Sequence, residues 1–284
     1  DVASVSCGNN ACAAIKTDGS LWLWGEHVTL GDGNPFTQVS TPVKVMDDVA
    51  AVHCASNTAV IKTDGSLWAW GYENSSGDVG NGTTEPVLVP TKILDDVTAF
   101  CSSGGSSAAI RSDGSLWMWG RNDYNQLLNG GQGNASINLG PLGVQSLQTV
   151  PVKVMDGVTA VSTSGRTTAV IKEDHSLWMW GHNYGGVLGD GSATDRLTPE
   201  KVMDDVSAVN CNSGITAAIQ TDGSLWMWGT STFGAMGPVG SSYTPVKIMD
   251  NVVDVDVSLQ TAALRKDGTL WMWGYLLPGE AGSH

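Results

Sequence analysis

The motif Asp-Gly-Ser-Leu-Trp-x-Trp-Gly recurs six times with small changes, at 18–25, 64–71, 113–120, 174–181, 222–229 and 267–274. Successive copies start 45 to 61 residues apart. That period matches one four-stranded blade of a propeller, a unit too small to bury its own apolar faces and therefore obliged to stack on copies of itself. The first repeat shows the pattern. An apolar run from Val2 to Cys7 leads through small residues to Cys12–Lys16, then to Thr17-Asp18-Gly19-Ser20 and a third run, Leu21–Gly25. Asp-Gly between two such runs predicts a two-residue hairpin, because glycine tolerates the positive φ the turn requires. Side chains alternate along a strand, so Trp22 and Trp24 face one way and Leu21 and Leu23 the other. A strand apolar on both faces belongs between two layers. A variable connection leads to a fourth strand, Pro42-Val43-Lys44-Val45-Met46, with copies beginning at Pro90, Pro151, Pro199 and Pro245. Proline is expected at the start of an outermost strand, where an amide is dispensable.

The expectation is an all-β propeller of six repeats, about four antiparallel strands each, forming a single domain over residues 1–281. The sixth repeat stops after its third strand. This leaves an exposed edge at Trp271–Gly274 that Tyr275 to Gly279 folds over, that a second chain pairs with, or that a seventh blade of a parent covers. Gly282-Ser283-His284 reads as the start of a purification tag. With 36 Gly, 12 Trp and 15% charged residues the chain is turn-rich and unsuited to long helices. No run of about 18 apolar residues predicts membrane insertion, and no leader is evident. A net charge of −14, from 28 acids against 14 bases, argues against phosphate binding, so no nucleic-acid partner is expected. Five cysteines leave at least one thiol unpaired. Cys7 and Cys12 flank a hairpin loop and are either disulfide-bonded or small buried residues.

Trp180-Gly181-His182-Asn183-Tyr184-Gly185-Gly186-Val187-Leu188-Gly189-Asp190-Gly191, with weaker copies along the chain, resembles the regulator of chromosome condensation repeat. The resemblance implies a propeller, commonly of seven blades, and a family that includes an exchange factor for a nuclear GTPase, a plant ultraviolet photoreceptor and bacterial β-lactamase inhibitors. The Thr-Asp-Gly-Ser-Leu-Trp-x-Trp-Gly wording looks like the bacterial members. The family's His-Thr pair at the head of the second strand is altered here. The His position reads Ala11, Ser106, Thr167 and Ile215, while the Thr position survives as Thr58, Thr168, Thr216 and Thr261.

All 12 Trp lie in the six motifs, and such periodicity marks them as core rather than as an aromatic site. The motif aspartates and the pairs Asp47-Asp48, Asp95-Asp96 and Asp204-Asp205 fall at one end of the blades, as solvated turn chemistry in preference to a calcium ring. The variable connections fall at the other end and hold Phe36, Tyr72, Tyr124, Tyr184, Phe233 and Tyr243, with Tyr275 in the tail. Loops on a rigid scaffold carry binding residues, and tyrosine is a favoured contact. The expected partner-binding residues are Tyr72, Arg121, Tyr124, Leu127, Leu128, His182, Tyr184, Phe233 and Tyr243. The longest connection, 121–150, with its run Asn129-Gly130-Gly131-Gln132-Gly133-Asn134, reads as a contact loop without regular structure.

No phosphate loop, HExxH or nucleophile motif occurs, so no enzyme and no cofactor are expected. His53, Cys101 and Asp256 share one first-strand position and offer a metal reading, set below that of lone hydrogen-bonded polar residues. The functional expectation is a noncatalytic protein-binding propeller, extracellular or on a bacterial surface in preference to cytoplasmic. An enzyme inhibitor, a glycan-binding propeller, and self-association through the open edge of the sixth blade stand as alternatives.

Overall fold

The computed structural model of the chain describes residues 1–8, 11–35, 37–128, 135–138, 144–212 and 214–275. Phe36, the run 129–134 and the tail after Tyr275 lie outside them. The described residues form a six-bladed β-propeller in which every sheet but the third meanders in chain order. The fourth blade is representative: Val158–Thr163, Thr167–Lys172, Leu177–Gly181 and Arg196–Met203 pair antiparallel in turn. The sixth blade has three strands among the described residues, Val252–Val257, Gln260–Arg265 and Leu270–Gly274. Packing divides the chain into two compact units, Asp1–Asp123 with Asn129–Gly157, and Tyr124–Leu128 with Val158–His284.

Strand alternation sets the core within each unit. Leu21 and Leu23 of the first unit and Leu177, Met179, Leu225 and Met227 of the second are fully buried on one face of their strands. On the other face the two tryptophans differ. In the second to fifth motifs the second tryptophan, Trp70, Trp119, Trp180 or Trp228, is fully buried and the first, Trp68, Trp117, Trp178 or Trp226, is half-buried; in the first motif Trp22 and Trp24 are both half-buried, and in the last Trp273 is half-buried and Trp271 exposed.

Three local readings are corrected. The Asp-Gly turn is not a two-residue hairpin with both central residues at positive φ. The Gly19 amide donates to the Lys16 carbonyl, the Lys16 amide donates to that of Ser20, and in this turn only Gly19 has positive φ, +78°. The loop is Thr17-Asp18-Gly19, and its aspartate serves as a side-chain acceptor. Asp18 Oδ1 accepts from Ser20 N (3.0 Å) and Oγ (2.6 Å), and Ser20 Oγ accepts from Trp22 Nε1 (2.9 Å). The same relay recurs at Asp64, Asp113 and Asp174. These bonds, from Ser20, Ser66, Ser115 and Ser176, hold the four carboxylates below their ordinary range. Secondly, the prolines stand inside the fourth strands. Thr37–Met46 contains Pro42, and its register against the third strand shifts between the pairs Leu23↔Val43 and Gly25↔Val39. A bulge is where a residue without an N–H is tolerated. Thirdly, the 121–150 connection is partly regular: Ala135–Asn138 adds a fifth strand to the third blade, pairing with a fourth strand that runs from Val144 to Met155.

One turn carries the wrong residue for its backbone. His175 occupies the glycine position at φ 63°. A Cβ there costs roughly 1 kcal/mol, so His175→Gly is expected to raise stability by about that amount in a denaturant titration; an unchanged or lower midpoint contradicts this account of the turn.

Cys7 and Cys12 form a disulfide across the first hairpin, facing each other in register. Cys54 and Cys211 are buried free thiols, each pushed up to about 11 by burial. Closing so short a loop is worth about 2 kcal/mol in the chain-entropy account. Reduction, or Cys7→Ser with Cys12→Ser, is therefore expected to lower the unfolding midpoint of the first unit. An identical midpoint would show the bridge to be structurally idle.

Candidate functional site

Each variable connection is pinned near its start by the blade that follows it. The carbonyls of Thr29, Asp78, Gln126, Val187 and Ala235 accept from Nε1 of Trp70, Trp119, Trp180, Trp228 and Trp273 at 2.8–2.9 Å. Four of these carbonyls also receive a second-strand hydroxyl, from Ser107, Thr168, Thr216 and Thr261 at 2.7–3.3 Å. The hydroxyl position in the sequence is thus half of a two-donor clamp on a loop carbonyl. An asparagine braces the connection from within: Asn183 Oδ1 accepts from the Leu188 amide (2.9 Å), and its Nδ2 donates to the carbonyls of Ser192 and Thr194. Asn74 does the same with Val79, Thr83 and Glu85. These bonds turn irregular chain into a fixed platform for side chains.

In the second unit the platform carries a row of rings. Arg166 lies over Tyr124 at 5.6 Å, Tyr124 packs on His182 at 4.3 Å, and His182 stacks with Tyr184 at 6.3 Å and 19° between planes. Tyr124 is held there because Gln126 is fully buried, its Nε2 donating to the Gly165 carbonyl and its Oε1 accepting from the Tyr124 amide. His182 Nδ1 bonds Asp195 Oδ1 at 2.9 Å, which also accepts the Asn183 amide at 2.8 Å. Tyr184 is 67% exposed and Phe233, which packs on Tyr275 at 5.1 Å, is 63% exposed. Beside Tyr184 lies a half-open cleft of about 330 Å³, lined by Tyr184, Asn212, Gly214, Ile215, Thr230, Ser258 and Leu259.

Of the expected partner-binding residues, Tyr124, His182 and Tyr184 are thus gathered into one row. Phe233 stands in the same unit beside Tyr275, and Tyr243, expected in the connection, is exposed near the start of the fourth strand Ser242–Met249, its carbonyl accepting the Gly191 amide. Leu127, 1% exposed, faces the interior, and the half-buried Leu128 sits at φ 52°. Tyr72 and Arg121 belong to the first unit, where Arg121 Nε lies 3.5 Å from Asp123. Sequence reasoning passed over Arg166, Asp195 and Leu259. Arg166 and Leu259 sit in first-to-second-strand turns, which end on the same side as the long connections, and that topology was the available signal.

Family models described as regulator of chromosome condensation (RCC1) repeat match residues 64–110 and 97–126. Within residues 64–126 the chain matches the RCC1 repeat. The ultraviolet-B receptor of Arabidopsis thaliana is 28% identical over 204 residues, which cover 68% of this chain and 44% of the receptor; the chain spans less than half the length of that relative. Among solved structures, yeast RCC1 (Prp20) bound to Kap60 superposes with a TM-score of 0.77 at 17% identity, covering 96% of this chain and 70% of that one. Human WBSCR16 does so at 0.74 and 21%, covering 89% and 69%. At such identities the structures speak for the shared propeller fold.

One repeat of the first unit departs from the others at its clamp. Where the corresponding carbonyls belong to Gln126, Val187 and Ala235, the second repeat has Asp78, a carboxylate 8% exposed. Burial pushes it up to about 6, against the opposing pull of its own amide and of Asn57, whose Nδ2 donates at 3.0 Å; Glu73 pushes it further up and Arg121 draws it down. The first-strand polar positions are hydrogen-bonded within their units: Ser6 accepts the Cys54 amide, Ser162 accepts the Cys211 amide, His53 Nε2 lies 2.9 Å from the Ser102 carbonyl, and Asn210 donates to Asp256. Among the described residues no three His, Cys, Asp or Glu side chains gather at a point that could hold a metal ion.

Proposed function

We propose that this RCC1-repeat chain is a noncatalytic protein-binding propeller that grips its partner with the loop ends of its second unit, as a secreted or surface module of a bacterium. The row Arg166–Tyr124–His182–Tyr184 carries this reading, because it backs the exposed Tyr184 with half-buried, fixed rings, the kind of aromatic anchor that interfaces favour. His182 is committed to orienting the stack through Asp195. The yeast relative crystallised with Kap60 is an instance of this fold in a protein complex. The Cys7–Cys12 bridge favours an oxidising compartment.

A tagged chain incubated with extract and culture supernatant of the source is expected to retain a partner that the double variant Tyr124→Ala, Tyr184→Ala binds at least about tenfold more weakly, as loss of two anchors requires. Asp222→Ala, at the opposite end of its blade, is expected to bind normally. Equal retention by the ring variant and the native chain contradicts the reading.

A further inference from the structure

The cleft beside Tyr184 has a chemistry distinct from that of the rest of the surface. The chain carries a net charge of −14, yet none of the seven lining residues is charged. In the second unit the charges concentrate at the far ends of the blades, in pairs such as Lys201–Asp204 and Lys247–Asp250. At the cleft end the carboxylates are already engaged: Asp195 with His182, Asp190 with Arg196, and Asp256 with Asn210. A ligand drawn by charge has nothing here to meet it. The lining is instead of mixed character: Tyr184, Ile215 and Leu259 stand with Thr230, with Asn212, whose Nδ2 donates to the Val257 carbonyl, and with Ser258, whose Oγ bonds the Gln260 backbone and keeps a lone pair to offer. His182 stacks with the Tyr184 ring at 6.3 Å and is not among the residues that line the cleft, and Tyr184 stays 67% exposed. Leu259, 57% exposed, is held at the wall by its carbonyl, which accepts the Tyr275 amide.

A flat aromatic surface, two aliphatic walls and several neutral hydrogen-bonding groups suit a molecule with an apolar face and a hydroxylated edge. A volume of about 330 Å³ stands at the small end of ligand sites, enough for one or two sugar rings. We infer that the cleft binds a neutral pyranose, its C–H face on Tyr184 and its hydroxyl edge toward Asn212, Thr230 and Ser258. This is a second binding activity beside the protein-binding row, and it does not depend on a partner engaging Tyr124.

Saturation-transfer NMR and calorimetry with methyl glucoside, methyl galactoside, methyl mannoside, N-acetylglucosamine and cellobiose, against glucuronic and sialic acids, test it on the intact chain. At least one neutral sugar is expected to bind, with the anionic sugars weaker. Tyr184→Ala is expected to lose about tenfold in affinity, the scale of one ring stack. Tyr184→Phe is expected to keep binding, Thr230→Val to weaken it, and Asp222→Ala, at the opposite end of its blade, to leave it unchanged. Binding by none of the neutral sugars, equal binding of the acids, indifference to Tyr184→Ala, or occupation by N-acetyltryptophanamide in place of sugars overturns the inference. Near-native circular dichroism of Tyr184→Ala is expected from the exposure of that ring, and Tyr184→Phe with Thr230→Val decides the matter if it is not.

Discussion

Trp180→Phe is expected to destabilise the chain by roughly 2–3 kcal/mol, and Trp178→Phe, two residues away in the same strand, by less than about 1 kcal/mol. The two rings share a motif but not an environment. Trp180 is fully buried and donates to the Gln126 carbonyl, so phenylalanine leaves a cavity and removes a hydrogen bond inside the unit. Thr168 Oγ1 still reaches that carbonyl at 3.3 Å, which keeps the loss from being larger. Trp178 is half-buried, bonds Ser176 Oγ and lies under Lys172 at 4.6 Å, contacts that water replaces in large part. Denaturant melts of both variants decide the point. Equal losses at the two positions would show that the buried clamp is not what holds the connections.

Asp78→Asn is expected to stabilise the chain near pH 7.5 by up to roughly 3 kcal/mol, and to make little difference near pH 4. The folded-state value of about 6 lies above the ordinary carboxylate value of 3.8. The contribution of Asp78 to stability is therefore fully present below about 4 and is lost as pH rises through about 6, where a buried carboxylate must ionise. Asparagine keeps an acceptor for Asn57 Nδ2 and carries no charge. The turn aspartates move the other way, since serine bonds hold Asp18 and its counterparts low and their contribution falls away in acid. The difference between native chain and variant across pH isolates Asp78 from that background. A difference that does not vary with pH contradicts the assigned burial of its charge.

The periodic part of this molecule was legible because periodicity is itself the physical constraint: blades that cannot bury themselves must stack, and Leu-Trp-x-Trp repeated at blade spacing leaves a propeller. What the repeat does not encode is how each backbone resolves local conflicts. The Asp-Gly turn takes positive φ at glycine alone because Asp18 is occupied as an acceptor. Pro42 lies in a bulge because its missing N–H must fall where the ladder shifts register, which depends on the partner strand. At the loop ends, residue type was legible and association was not. Tyr124 and Tyr184 stand out as ring-bearing loop residues, but their meeting at His182 depends on the buried Gln126, whose role is visible only once the chain is folded. Leu127 shows the converse, since a leucine in a loop reads equally as an anchor for a partner or a plug for the core, and it packs inside. Arg166 and Leu259 stand in short turns that carry no pattern of their own, and only the strand topology brings both to the same side of the blades as the long connections.

Site-specific photo-crosslinking distinguishes repeats that serve as scaffold, with the aromatic loop ends of the second unit as the partner-binding surface, from the reverse arrangement. A benzophenone amino acid placed at Tyr184, and in a second preparation at Asp222 on the opposite end, is irradiated in extract and supernatant from the source. The account predicts a discrete crosslinked protein from position 184, abolished by Tyr124→Ala in the same chain, and none from position 222. A partner captured from position 222 and not from 184 would contradict it.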